Sequence, residues 1–141
     1  METGLTTDLL TQKITPAQAR AMNPLTLAWV GDSVFSNYIR RYLIAKGNAN
    51  VNHLTKLSVK YVRAAAQADM LKAWQPLLTE EEADIVRRGR NTKSIPPKNA
   101  DRMAYRYATG LEALCGYLTL IGDEERLVEL IGVGIDSIRN A

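Results

Sequence analysis

The sequence predicts an all-α domain, and three observations lead there. Apolar residues recur at spacings of three and four, helix start and stop signals punctuate the chain, and no stretch alternates with period two for long enough to build a sheet. With 141 residues, 46% hydrophobic and 23% charged, the chain is large enough for one compact domain burying roughly 68% of its unfolded surface. No repeat, low-complexity segment or linker divides it. About six or seven helices are expected, with residues 1–22 as an N-terminal segment carrying a short helix and residues 23–141 as the main body.

Each element has a local reason. Thr15-Pro16-Ala17-Gln18 reads as a capping box with Pro in the first turn and opens the short helix. Asn23-Pro24 repeats the start signal. From Leu25 the stripe Ala28, Asp32, Phe35, Ile39, Tyr42 predicts a helix of about 22 residues, stopped by Gly47. Asn50 or Asn52 caps a second long helix expected to run unbroken to about Trp74, with Pro76 just beyond. Thr79-Glu80-Glu81-Glu82 is another capping box, for a helix ending near Gly89. Asn91 to Pro97 reads as a loop, because Ser94-Ile95-Pro96-Pro97 is restrained against helix. A further helix is expected from about Asn99 to Ile121, stopped by Gly122, and Asp123 caps a last one to about Arg139.

Composition excludes several functions. One cysteine, Cys115, cannot form an intramolecular disulfide, and one histidine, His53, cannot complete the usual zinc sets or stand near a nucleophile motif for triad chemistry. The N-terminus lacks a basic start followed by an apolar run, and no stretch approaches the ~20 apolar residues of a membrane helix. A cytoplasmic protein without membrane partners is the expectation. The formal net charge is +3, and its distribution is uneven. Ser33 to Ala68 holds Arg40, Arg41, Lys46, Lys56, Lys60 and Arg63 without one acid, and Arg87 to Arg106 holds seven basic residues against Asp101 alone. Such stretches suit a polyanionic partner.

Asp32 and Glu112 carry the chemistry. Asp32 shares the stripe of Ala28, Phe35 and Ile39, and Glu112 shares a face with Tyr105, Ala108, Cys115 and Gly116. Two inward carboxylates with no basic residue on either stripe repel, unless a cation sits between them or one keeps its proton. A hard divalent ion such as Mg²⁺ answers this, because it prefers carboxylate oxygens and leaves room for phosphate. Spacing alone reaches a metal-dependent phosphoesterase.

The residues around these acids go further. Leu27-Ala28-Trp29-Val30-Gly31-Asp32-Ser33-Val34 resembles the signature segment of the ribonuclease III family, and Leu111-Glu112-Ala113-Leu114-Cys115-Gly116-Tyr117-Leu118 resembles that family's second acidic segment. Their order and their separation of about 80 residues match as well. Arg87-Arg88-Gly89-Arg90-Asn91-Thr92-Lys93-Ser94, Pro97-Lys98-Asn99 and Tyr105-Arg106 are similar to the short subclass called Mini-ribonuclease III. The resemblance spans about Asn23 to Glu129 and implies the helical fold of the ribonuclease III endonuclease, with residues 23–141 as the catalytic domain and no separate double-stranded-RNA-binding domain. Two positions depart from the wider family. Ala28 stands where a Glu is usual and Thr109 where an Asp is usual, so the site is reduced to two acids and one or two metal ions stay open.

The resemblance implies a Mg²⁺-dependent endoribonuclease, with Mn²⁺ as a substitute, that cuts double-stranded RNA to 5′-phosphate and 3′-hydroxyl ends. The subclass typically matures the paired ends of large-subunit (23S) ribosomal RNA precursor. Asp32 and Glu112 would be the catalytic and metal-holding residues. Arg87, Arg88, Arg90, Asn91, Lys93, Lys98 and Asn99 would bind RNA on a loop. Trp29 would insert into the second subunit of a homodimer, and a ribosomal protein is a further candidate partner. Two rivals remain. One is a non-catalytic duplex-RNA-binding ribosome-assembly factor of the same fold, and the other is a helical adaptor for acidic proteins.

Overall fold

A computed structural model of the chain describes residues 2–47, 50–93 and 95–140, with the side chains of residues 2 and 3 left aside. Ser94 of the expected loop lies outside the described residues. The order is α1 (Glu2–Thr11), α2 (Pro16–Arg20), α3 (Pro24–Ala45), α4 (Val51–Val62), α5 (Ala64–Trp74), a 3₁₀ turn (Gln75–Leu77), α6 (Glu80–Asn91), α7 (Arg102–Leu120) and α8 (Glu124–Arg139), with no strand among the described residues.

The punctuation acts as its chemistry dictates. Both capping boxes form, the Oγ1 atoms of Thr15 and Thr79 accepting from Gln18 and Glu82 N–H while the Gln18 and Glu82 side chains accept from the Thr N–H groups. Asn23, Asn50 and Asp123 cap α3, α4 and α8. Gly122 ends α7 in the left-handed region at φ 79°, which lets the Asp123 N–H donate to the Leu118 carbonyl at 2.9 Å.

Four expectations need correction. An additional helix, α1, occupies the N-terminal segment, and its side chains from Gly4 to Thr11 are all exposed, Leu5, Leu9 and Leu10 included. The helix expected from Asn50 to Trp74 is broken at Arg63, which is extended at φ −62° and ψ 151°. There the Val62 carbonyl accepts from the side chain of Gln67 at 2.8 Å, and α5 starts afresh in a new direction. The helix expected to end near Gly89 continues to Asn91, where the Thr92 hydroxyl closes it on the Arg88 carbonyl at 2.7 Å. The helix expected from Asn99 begins instead at Arg102, capped by Asp101, because Asn99 sits at φ 68° and cannot be part of a right-handed helix.

Helix α7 is the axle. Ala104, Ala108 to Leu111 and Ala113 to Leu118 are buried, and α3, α5, α6 and α8 pack around it. Leu27, Phe35, Ile39, Met70, Leu71, Leu114, Leu118 and Leu130 fill the space between them, and the buried Trp74 ring donates from Nε1 to the Leu130 carbonyl at 2.6 Å. A helix hydrophobic on nearly every side belongs inside, where small residues let its neighbours close in.

Candidate metal and active site

Two glycines bring α3 and α7 into backbone contact. A Cβ added at Gly31 would run into the Glu112 carbonyl, and one added at Gly116 would run into the Leu27 carbonyl. Since Asp32 follows Gly31 and Glu112 lies one turn before Gly116, the crossing carries the two carboxyls together. Their burial differs from the expectation of two inward acids. Asp32 stands at the solvent edge of its stripe and is exposed, while Glu112 is half-buried.

Electrostatics at this crossing is unbalanced. Burial pushes the Glu112 carboxyl up to about 8, and the Asp32 charge and its hydrogen bond to Glu112 push the same way, against a smaller opposing effect of Gln67. No ion pair among the described residues includes Asp32 or Glu112. Gln67 is 3% exposed, and its Nε2 reaches the Val62 carbonyl at 2.8 Å and Glu112 Oε2 at 3.4 Å. Gln67 is not among the residues that the sequence singles out. The signal was available, since it shares a stripe with Met70, Leu71 and Trp74 just as Glu112 shares one with Ala108 and Cys115.

These residues fit a hard divalent cation. They offer carboxyl oxygens from two helices, one open to water, and a bound cation would favour the ionised form of Glu112 that burial and Asp32 disfavour. No group of three His, Cys, Asp or Glu side chains stands together among the described residues. Ala28 and Thr109 are buried, and the Thr109 hydroxyl donates to the Tyr105 carbonyl at 3.0 Å. Both are turned to packing.

The basic segment divides into two kinds of residue. Arg87, Arg88, Arg90 and Asn91 belong to the last turns of α6, so they lie on a helix and not on the expected loop; Lys93, Lys98 and Asn99 are exposed on the connection that follows. Arg87 is exposed and pairs with Asp84. Arg88 is half-buried and donates to the carbonyls of Arg20 at 2.6 Å and Met22 at 3.2 Å, tying α6 to the end of α2. Arg90 lies over the Tyr107 ring, 5.5 Å from its centroid. Close approach of Gly110 to the Val86 carbonyl, at 2.8 Å from a notional Cβ, sets this end of α6 against α7. Trp29 is 79% exposed and therefore is not a core residue.

Comparison with known proteins agrees with this architecture. Residues 25–123 match the model of the ribonuclease III domain family. Proteins called Mini-ribonuclease 3 are similar over most of their length: that of Thermoanaerobacter sp. strain X514 is 50% identical over 129 residues, covering 91% of each chain, and that of Staphylococcus aureus strain NCTC 8325 is 44% identical, covering 79% of this chain and 86% of the relative. A crystal structure of a protein from Fusobacterium nucleatum superposes with a TM-score of 0.75 at 32% identity, covering 83% of this chain and 94% of that one.

Proposed function

The chain belongs to the ribonuclease III family and is an endoribonuclease, and we propose that it cuts double-stranded RNA with a divalent cation held by Asp32 and Glu112. The observation that carries this reading is the juxtaposition of those two carboxyls, without a cationic partner among the described residues, at the Gly31–Gly116 crossing. Mg²⁺, or Mn²⁺ in its place, would supply a water of lowered pKa and neutralise charge on the departing 3′ oxygen.

The chain's own residues do the rest. Gly31 and Gly116 hold the separation of the helices, and hence of the carboxyls. Asp32, at the solvent edge, is within reach of a phosphodiester that Glu112 is too recessed to meet alone. Glu112 must give up the proton that burial and Asp32 favour, so cation binding releases a proton and strengthens as pH rises toward 8. Arg87, Arg90, Asn91, Lys93, Lys98 and Asn99 contact phosphates and 2′-hydroxyls, so recognition follows duplex shape. Arg88 holds the base of that segment through its two carbonyl partners. Trp29 packs into a second copy, giving a homodimer with one site for each strand.

The proposed role is maturation of the paired ends of 23S ribosomal RNA precursor in the cytoplasm, alone or with a ribosomal protein. No helix of the described residues is long and apolar enough to cross a membrane. The test incubates the purified protein with a duplex carrying those paired ends, with Mg²⁺ and then with EDTA. Cleavage to 5′-phosphate and 3′-hydroxyl ends that EDTA stops is the expected result. Binding without cleavage in both conditions overturns it in favour of an RNA-binding assembly factor.

A further inference from the structure

Gln67 is placed to do more than link two helices. The break at Arg63 frees the Val62 carbonyl, and Gln67 Nε2 takes it at 2.8 Å while also facing Glu112 Oε2 at 3.4 Å. The Val62 carbonyl can only accept, so the amide nitrogen must be the atom that meets it, and the carbonyl oxygen is turned away from that carbonyl. That oxygen, Oε1, is buried and has no hydrogen-bond partner among the described residues. A buried acceptor left alone costs about 1 to 3 kcal/mol, and native proteins rarely carry one without a use. It lies on the same amide that touches the metal-holding Glu112, and what it lacks is a donor.

We propose that Gln67 is a positioning residue of the metal site: its Nε2 orients Glu112, and its Oε1 accepts a hydrogen bond from a water in the hydration shell of the bound cation. A divalent ion held by two carboxylates keeps several waters, each a strong donor. An amide oxygen accepts such a bond without adding charge. Gln67 would thus stand in for part of what a larger acid set does. The inference rests on the metal reading of Asp32 and Glu112.

The test measures how far Mn²⁺ raises the melting temperature, without RNA, in the wild type, Gln67→Met and Gln67→Glu. Gln67→Met keeps the shape and removes both polar atoms, while Gln67→Glu keeps an acceptor oxygen and loses the donor. The expected result is Mn²⁺ affinity ~10 to 100-fold weaker in Gln67→Met, with a correspondingly smaller melting shift. Gln67→Glu should melt lower than wild type in EDTA, because a third carboxylate joins the repulsion, yet gain at least the wild-type shift from Mn²⁺. A residue that merely ties α4 to α5 would lower the EDTA melting temperature of both variants and leave the Mn²⁺ shift as it is in the wild type; that outcome overturns the inference while the metal reading stands. Should Gln67→Met fail to fold, a Mn²⁺ shift in Gln67→Glu smaller than in wild type also overturns it. A wild type that neither shifts with Mn²⁺ nor cuts RNA overturns the metal reading and this inference together.

Discussion

Glu82 and Glu112 are both carboxylates drawn out of water on helices that pack into the core, and their surroundings treat them in opposite ways. Glu82, 6% exposed, receives Arg126 Nε at 2.9 Å and Arg126 NH2 at 2.8 Å, as well as the Thr79 N–H at 2.9 Å. Burial pushes it up, but the bonds from Arg126 and Thr79 and the Arg126 charge outweigh burial and leave it below its ordinary value. Arg126 also reaches the Leu77 carbonyl and pairs with Glu129, so one guanidinium locks the 3₁₀ turn, α6 and α8 together. Glu112 has Asp32 for a neighbour and, among the described residues, the Gln67 amide alone in compensation. A carboxylate that the fold satisfies is a structural part; a carboxylate that the fold leaves unbalanced is available for something the chain does not itself contain.

The largest effect expected is on catalysis. Asp32→Asn or Glu112→Gln should lower RNA cleavage at least ~10³-fold, from loss of metal activation of the nucleophile, while the melting temperature in EDTA stays equal, and rises above about pH 8 where both carboxylates are ionised and repel. Full activity in either variant would erase the distinction between the two glutamates.

Breaking the satisfied pair should do the reverse. Arg126→Ala leaves Glu82 without its partner and should cost about 3 kcal/mol, at the lower end for a buried pair because the arginine is partly solvated. Denaturant titration measures this, and cleavage at temperatures where the variant is folded should persist. A variant that is as stable as wild type but inactive would make Arg126 part of the site.

The pH dependence of stability separates the two as well. Glu112 moves from an ordinary 4.5 to about 8 in the folded protein, so between those values the native state holds a proton that the unfolded state has lost. Its contribution is therefore full below about 4.5 and disappears as pH rises through about 8. Glu82 is lowered, so its contribution is present above its ordinary 4.5 and disappears as pH falls. Melting in EDTA should show a decline from pH 5 to 8 that Glu112→Gln removes and Arg126→Ala does not.

The same division holds among the tryptophans and the arginines, with smaller consequences. Trp74 is sealed in the core, whereas Trp29 is exposed; Trp29→Ala should leave the fold intact and yield a monomer by light scattering. An equally tight dimer would remove the role proposed for Trp29. Arg88 is bound to two carbonyls and Lys93 is exposed on the connection after α6. Lys93→Ala should lower the slope of log affinity for duplex RNA against log salt by slightly under ~1, with unchanged melting. Arg88→Ala should lower the melting temperature instead, and an Arg88→Ala variant that melts like wild type would return it to the RNA-facing set.

Much of this molecule was legible along the chain. The capping residues Thr15, Asn23, Asn50, Thr79 and Asp123 announced helix starts because their partners lie two or three residues away, and Asp32 and Glu112 stood out because an acid on an apolar stripe is anomalous wherever the stripe packs. The similarity of the segments around them to known ribonuclease III sequences supplied the activity. Other features depend on residues far apart in sequence: the break at Arg63 on a Gln67 that also meets Glu112, the anchoring of Arg88 on the end of α2, and the neutralisation of Glu82 by Arg126, 44 residues away. Periodicity fixes which face of a helix a residue occupies, but not how deep that face lies or what opposes it. Asp32 came out exposed and Glu112 recessed because only the crossing of α3 over α7, set by where two glycines let backbones touch, decides which of two similar acids meets water.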